Sequence, residues 1–264
     1  MPYATNAGVR IRYEVEGNGP ALLLHIGFIG GLEDWADAGY VAPLAREFRV
    51  LRLDPRGQGG SDKPHDPDAY TTPYRVGDIL AVLDAEGIDR AHVWGYSLGG
   101  RVGFALGVFA SERVASLIVG GAHPFTGNPR PIEGDFFLDG LRHGMAPFVA
   151  ACEADDPAFF VSAGERERWL AADPAALRAT QLTNLTEPDL ERDAVAAIQT
   201  PTLIYAGTAD DPEPKAAAAH LLPHADFVAL EGLDHAQGFN RSDGVLPHVL
   251  EFLAGAGVMS AARS

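Results

Sequence analysis

The stretch 92-HVWGYSLGGRVGFAL-106 decides how this chain is expected to fold. It places a Gly-x-Ser-x-Gly pattern, centred on Ser97, directly after an apolar strand-like run and directly before a helix-compatible run. A serine at such a strand-to-helix turn has a strained backbone and points its hydroxyl above the carboxyl edge of the sheet. The free N–H groups of the new helix favour an anion at the same spot. The five-residue pattern alone could be an ordinary glycine-rich turn, so the flanking strand and helix support the prediction that Ser97 is a nucleophile.

Strand-like runs recur along the chain and alternate with helical patterns. The first run alternates apolar and polar residues, whereas the others are more continuously apolar, which is typical of strands covered on both faces. One helix is predicted to have Thr72 as its N-cap, Pro73 at its first position and its end at Gly87. The pattern predicts an α/β fold with about eight mostly parallel strands and helices on both faces. The strand-like runs are 9–15, 21–26, 48–53, 91–96, 116–121, 202–206 and 227–230.

The alternation stops between about residues 124 and 199, where short helical segments are divided by proline and glycine. No repeat or linker separates this region from the rest, so it is predicted to be a helical cap inserted in one domain of residues 1–264. A closing amphipathic helix is predicted over 245–253, followed by a frayed tail over 255–264.

Composition narrows the classes of function. The chain has 264 residues, 47% of them hydrophobic, and a formal net charge of −16 at pH 7. That charge would repel a phosphate backbone, so nucleic acid is not an expected partner. Neither a long apolar run nor a basic, then apolar leader is readable, which predicts a cytoplasmic protein that does not span a membrane. The single cysteine, Cys152, can form neither an intramolecular disulfide nor a thiolate metal cluster.

A nucleophilic serine requires a histidine base, and the histidine requires a carboxylate to fix its tautomer. Of the nine histidines, His235 follows the last strand-like run and precedes the closing helix. His123 is a weaker candidate, because it begins the cap directly after a predicted strand. Two adjacent carboxylates, Asp210 and Asp211, lie in the turn after the strand at 202–206, and either could orient the base.

Five blocks of sequence then occur in a specific order, and with them the chain resembles the α/β-hydrolase family over nearly its whole length. The resemblance implies an eight-stranded, mostly parallel sheet with helices on both faces and a helical cap. It implies that His235 is the base and that Asp210, three residues past Gly207, is the acid, with Asp211 as runner-up. The chain order of serine, aspartate and histidine is the one expected for this fold. The blocks are 22-LLLHIGFIGGLEDW-35, 51-LRLDPRGQGGSDKP-64, 95-GYSLGG-100, 205-YAGTADDP-212 and 230-LEGLDHAQGF-239.

The resemblance also implies an oxyanion hole. One donor should be the backbone N–H of Leu98, which follows the nucleophile. The second should come from the loop 25-HIGF-28, where relatives read His-Gly-x and the last amide donates. Here one residue is inserted: counting back from the tryptophan of the first block makes Phe28 the donor, and counting forward from His25 makes it Gly27. Phe28 is preferred because a glycine before it permits close approach to substrate; a remodelled loop with one surviving donor is the alternative.

The predicted reaction is hydrolysis of a carboxylic ester, or a related acyl or lactone bond, through an acyl-enzyme. The substrate is expected to be a small, largely apolar molecule, and no metal or organic cofactor is required. Carbon–carbon bond hydrolases and cofactor-free haloperoxidases of the family share the serine triad, and a ligand-binding receptor on the same fold is an alternative of a different class. A monomer or homodimer is expected. The aromatic side chains predicted to bind substrate are Phe28, Trp35, Tyr96, Phe125 and Phe137.

Overall fold

The computed structural model describes residues 2–155, 159–160 and 162–255. It contains one eight-stranded sheet. The strands are β1 Tyr3–Asn6, β2 Val9–Glu16, β3 Ala21–His25, β4 Arg49–Leu53, β5 Ala91–Tyr96, β6 Val114–Gly120, β7 Thr202–Gly207 and β8 Ala225–Leu230. Their order across the sheet is β1-β2-β4-β3-β5-β6-β7-β8. The pairs β1–β2 and β2–β4 are antiparallel and the others are parallel, which confirms the predicted α/β architecture.

Helices connect the parallel strands and cover both faces of the sheet. The first four are α1 Leu32–Asp37, α2 Val41–Leu44, α3 Thr72–Ala85 and α4 Leu98–Phe109. Between β6 and β7 follow α5 Phe136–Gly140, α6 Met145–Asp155, α7 Ala163–Leu170, α8 Pro174–Thr186 and α9 Arg192–Ala196. The last three are α10 Pro212–Leu221, α11 Gln237–Asn240 and α12 Ser242–Gly255. The five helices that the structure describes between β6 and β7 lie in the region that the sequence predicts to be the cap.

The central strands are buried on both faces, as their continuous apolar runs predict. In β3, Leu23 packs into the core on one side of the sheet, whereas Leu22 and Leu24 pack into the core on the other side. All six residues of β5 are buried. A smaller apolar cluster, built around Phe148 and Leu177, lies in the cap. The strand that leads into Ser97 is therefore packed from both sides.

Two local features differ from the sequence prediction. Strand β1 is present in the structure but is not among the predicted strands, because only one of its four residues is buried and it pairs only with β2. Thr72 is the first residue of α3 rather than its N-cap, which is Thr71. The Thr72 amide and hydroxyl instead donate to the carboxylate of Glu187, at 2.8 and 2.9 Å. A carboxylate from the cap region thus satisfies the start of α3. Most of the predicted frayed tail, residues 256–264, lies outside the described residues.

Two buried histidines are expected to make the fold sensitive to acid. Burial lowers the pKa of His25 and that of His92 from 6.5 to about 4. Because the unfolded chain takes up protons that the folded chain does not, this contribution to stability is complete above pH 6.5 and is lost as the pH falls towards 4. The loss is about 3 kcal/mol per ring at pH 4. Urea unfolding followed between pH 7 and 4 measures it. His92→Gln should remove close to half of the loss, and an unchanged pH dependence would contradict the prediction.

Candidate active site

Ser97 occupies the sharp turn between β5 and α4. Its backbone has φ 53° and ψ −119°, a conformation that is strained for a residue with a side chain. The turn fits only because its flanking glycines carry no Cβ. A Cβ at Gly95 would lie 2.1 Å from the carbonyl oxygen of Gly99, and a Cβ at Gly99 would lie 2.1 Å from that of His25. The sequence therefore forces the serine hydroxyl out at the carboxyl edge of the sheet.

The structure brings the three predicted catalytic side chains together. The Oγ of Ser97 lies 3.0 Å from Nε2 of His235. On the other side of the ring, Nδ1 of His235 lies 3.0 Å from Oδ2 of Asp210. With the imidazole neutral and its proton on Nδ1, the ring donates to the carboxylate and accepts from the serine hydroxyl. Each residue follows the end of a different strand, β5, β7 or β8, and all three meet at one sheet edge.

Asp210 is held as an anion in a half-buried position. Burial raises the pKa of this carboxyl, but the hydrogen bond from His235 and the positive charge of Lys215 outweigh burial, so the pKa is lower than usual. The Nζ of Lys215 is 3.2 Å from Oδ1 of Asp210, and it also donates to the backbone carbonyls of Asp210 and Asp211. No sequence pattern predicts a role for Lys215. A lysine on an alanine-rich helix gives no signal that it is buried against a carboxylate.

Asp211 takes a different position from its neighbour. It is exposed, adopts a left-handed backbone conformation with φ 42°, and stands before Pro212 at the start of α10. Its side chain makes no hydrogen bond to His235 among the described residues. The geometry therefore favours Asp210 as the partner of the imidazole.

Tyr96 fixes the loop that carries the histidine. Its hydroxyl donates to the backbone carbonyl of His235, and the two ring centroids are 5.3 Å apart. Burial raises the pKa of this phenol well above its ordinary value, so it remains a neutral donor. Tyr96 does line the cavity, but its polar atom is engaged with the protein.

The loop after β3 passes directly over the nucleophile. A Cβ at Gly27 would lie 3.0 Å from Cβ of Ser97 and 3.5 Å from its Oγ, so a glycine permits this approach. The side chain of Ile26 instead packs into the core. This arrangement favours the alignment in which Gly27 precedes Phe28. That the amide of Phe28 points towards the oxyanion as the second donor stays a prediction. Leu98, the predicted first donor, begins α4.

Gln58 holds this loop in place. Its side chain is buried; Oε1 accepts from the Gly30 amide at 2.7 Å, and Nε2 donates to the Gly27 carbonyl at 3.3 Å. One side chain thus bridges both ends of the segment that contains Phe28. Gln58 lies in one of the blocks that resemble the family, but nothing in the sequence pattern indicates a contact across two loops.

Gln58→Leu is expected to lower kcat by up to about 100-fold with a smaller change in KM, because a displaced loop weakens one oxyanion donor. Separate kcat and KM values for one ester substrate measure this. Gln199→Leu, at an exposed position, is the matched control. A variant with reduced thermal stability but normal kcat would show that Gln58 supports the fold alone.

A cavity of about 720 Å³ lies above Ser97. Of the predicted substrate-binding residues, Phe28, Tyr96 and Phe137 line it, and the rings of Phe28 and Phe137 meet edge to face at 5.1 Å. Trp35 and Phe125 do not, so those two predictions are wrong. Trp35 is fully buried between the aromatic rings of the core beneath the loop. Phe125 packs against the core on the other face of the sheet, with the guanidinium of Arg192 5.5 Å from its ring centroid.

The cavity wall also carries charged and polar side chains. No sequence pattern indicates that the four cationic ones face a pocket. Arg101, Arg130, Arg168 and Lys215 contribute to it, together with His123, the weaker histidine candidate. Arg168 of α7 pairs with two carboxylates of α1, Asp34 and Asp37, the second at 2.7 Å. The cap is thereby tied to the segment next to the predicted oxyanion loop. The pocket is predicted to be apolar; its described lining is mostly apolar and also carries cationic and carboxylate side chains.

The described residues contain neither a candidate metal site nor a helix suited to span a membrane. No group of three or more His, Cys, Asp or Glu side chains among them could hold a metal ion. Within the same ranges, none of the helices combines the length and apolar character that crossing a bilayer requires.

Comparison with known proteins adds independent evidence. A protein from Azorhizobium caulinodans named "Putative carbamate hydrolase RutD" is 37% identical over 119 residues, which are 45% of this chain and 43% of that protein. A protein of the same name from Pseudomonas savastanoi pv. phaseolicola is 30% identical over 257 residues, covering 89% of this chain and 93% of that protein. The crystal structure of the enol-lactonase from Burkholderia xenovorans LB400 superposes with a TM-score of 0.80 and 27% identity, covering 96% of this chain and 100% of that chain.

The family model for the alpha/beta hydrolase fold matches residues 20–192, which include the elbow and the sheet strands around it. With this match, the sheet order and the relatives along nearly the whole chain, the protein belongs to the α/β-hydrolase fold family and is a hydrolase.

Proposed function

We propose that the protein is a serine hydrolase that cleaves a carboxylic ester, or a related acyl bond such as a lactone, through an acyl-enzyme. The observation that supports this most directly is the continuous chain of contacts from Ser97 to His235 to Asp210, with both distances at 3.0 Å. A hydroxyl hydrogen-bonded to an imidazole, which is itself oriented by an anion, is the arrangement that activates a serine.

In the proposed reaction, Oγ of Ser97 attacks the substrate carbonyl while Nε2 of His235 takes the hydroxyl proton. The carbonyl oxygen becomes an oxyanion and is stabilised by the amides of Leu98 and Phe28. Collapse of this intermediate breaks the bond to the leaving alcohol, which receives the proton from His235. A water molecule then attacks the acyl-enzyme by the same route, with His235 again as base, and releases the carboxylic acid and free Ser97.

The names of two of the relatives agree with acyl chemistry. A carbamate hydrolase and an enol-lactonase both cleave a bond to a carbonyl carbon, as an ester hydrolase does. Opening of epoxides or carbon–halogen bonds on this fold uses an aspartate at the elbow, where this chain has Ser97. A receptor would bind its ligand in the same pocket without hydrolysing it.

The test uses a p-nitrophenyl acyl ester and a fluorophosphonate probe on the purified protein. We expect a rapid burst of p-nitrophenol followed by slower turnover, and loss of both after labelling at Ser97. Labelling would be located by mass spectrometry of the peptide that contains the elbow. A protein that binds the ester but neither turns it over nor reacts with the probe would be a receptor, and the proposal would fail.

A further inference from the structure

Arg101 lies one helical turn beyond the nucleophile. It belongs to α4, its amide donates to the carbonyl of Ser97 at 3.1 Å, and its side chain lines the cavity. A group bound by its guanidinium would therefore lie in the same cavity as the reacting carbonyl. The position suits recognition of a substrate group close to the bond that is cleaved.

The guanidinium of Arg101 lacks a close anionic partner in the part of the chain that the structure describes. Its nearest carboxylate there is Asp189, at 3.8 Å, and its side chain is only 25% exposed. The oxygens of Asp189 already accept hydrogen bonds from the hydroxyl of Thr126 and the amides of Gly127 and Asn128. Asp189 is thus hydrogen-bonded to the cap loop, and the guanidinium of Arg101 makes no hydrogen bond to it, only the ion pair at 3.8 Å.

A second arginine reinforces the positive charge. Arg130 lines the same cavity, and its Nε donates to the neutral side-chain oxygen of Asn128 at 3.0 Å. Burial is the main reason that the pKa of Arg101 is lowered; Asp189 and Glu187 raise it, and the charge of Arg130 lowers it. Because both arginines line the same cavity, a carboxylate bound there would relieve the burial of Arg101 and the repulsion between the two cations.

The other charged groups of the described wall, Glu165 included, have partners within the protein. Arg168 pairs with Asp34 and Asp37, and Lys215 pairs with Asp210. The carboxylate of Asp135 accepts hydrogen bonds from the protein at both oxygens. Of the four cationic side chains on the described cavity wall, Arg101 and Arg130 are therefore the two that have no described carboxylate closer than 3.8 Å.

Building on the acyl-enzyme reaction proposed above, we propose that the natural substrate carries a carboxylate, which the guanidinium of Arg101 binds with Arg130 beside it while the scissile carbonyl lies at Ser97. The aromatic side of the cavity, with Phe28 and Phe137, then receives the apolar part of the molecule. This narrows the substrate class from esters and lactones in general to anionic ones.

Two isosteric ester pairs test the inference, with hydrolysis followed by pH-stat titration. One pair carries the charge on the acid part, monomethyl adipate against methyl 6-methylheptanoate, in which an isopropyl group replaces the carboxylate. The other carries it on the alcohol part, 6-acetoxyhexanoate against 6-methylheptyl acetate. Arg101→Met should lower the ratio of kcat/KM for the charged ester to that for its isostere by roughly 10- to 150-fold in at least one pair. Arg101→Lys, which keeps the charge, should restore part of the ratio.

Arg46→Met is the matched control, because it removes the same charge from an exposed position outside the cavity. It should leave the ratio unchanged in both pairs. If Arg101→Met also leaves both ratios unchanged while the fluorophosphonate probe still labels Ser97, the carboxylate inference fails and the serine hydrolase proposal stands.

Calorimetric titration of Ser97→Ala with the two charged esters gives a readout that does not require turnover. We expect weaker binding of at least one of them when Arg101→Met is added. If no ester is hydrolysed and no probe reacts, yet binding depends on Arg101, the proposed hydrolase activity fails and the anion site remains. If Arg101→Met leaves the affinity for both charged esters unchanged, the inference is overturned.

Discussion

Replacing Ser97 with alanine is expected to lower kcat for ester hydrolysis by about 10⁶-fold, the scale seen when a triad nucleophile is removed. The variant has no oxygen to form the acyl-enzyme, and the predicted oxyanion donors alone give only residual acceleration. The fold should persist, because alanine meets the same backbone strain at φ 53° that serine already tolerates. Burst kinetics with a p-nitrophenyl ester and thermal unfolding measure the two effects separately.

Ser111→Ala is the matched control, since it removes a hydroxyl from an exposed position beyond the end of α4, outside the elbow. It should retain full activity and full reaction with the fluorophosphonate probe. Ester hydrolysis by Ser97→Ala at more than a hundredth of the normal rate, in protein shown to be free of contaminating enzyme, would sink the proposed mechanism.

Asp210→Asn is expected to lower kcat by about 10⁴-fold. An amide can present its NH₂ group to Nδ1 of His235, which would hold the ring in the wrong tautomer and leave the imidazolium without a counter-charge. The amide also weakens the partnership with Lys215, whose Nζ lies 3.2 Å from Oδ1 in the unaltered protein. Steady-state kinetics across the pH range in which the protein stays folded give the measurement.

The adjacent residue supplies the control. Asp211→Asn changes one carboxylate to an amide at an exposed position that does not contact the imidazole, so its activity should stay within a few fold of normal. If Asp211→Asn instead produced the large loss, the assignment of the acid would be wrong by one residue.

The sequence was informative where chemistry depends on local geometry. The elbow around Ser97 follows from a strand, a turn with glycines and a helix, all contiguous in the chain. Asp210 and His235 each follow a strand of a parallel sheet, and the carboxyl ends of such strands meet at one edge. The resemblance to the family set the register in which Asp210, rather than Asp211, approaches the ring.

The sequence was uninformative where a role depends on which way a side chain points. Trp35 and Phe125 are aromatic residues near the predicted pocket, yet they face the core, since burial in either place satisfies a large apolar side chain. Gln58 acts through contacts with a loop 28 residues away in the chain. Arg101 stands in the quoted elbow stretch, but only the structure places its nearest described carboxylate 3.8 Å away.

The link between Arg168 of α7 and the carboxylates of Asp34 and Asp37 bears on how a product leaves. While the link is closed, the guanidinium masks two negative charges beside the cavity. If α7 moves away from α1, both carboxylates lose their cation on the cavity wall. Hydrolysis of any ester leaves a carboxylate in the cavity, and an anion at an opening lined by anions is repelled. The same movement would then favour release of the carboxylic acid product, because the unpaired carboxylates of Asp34 and Asp37 repel it.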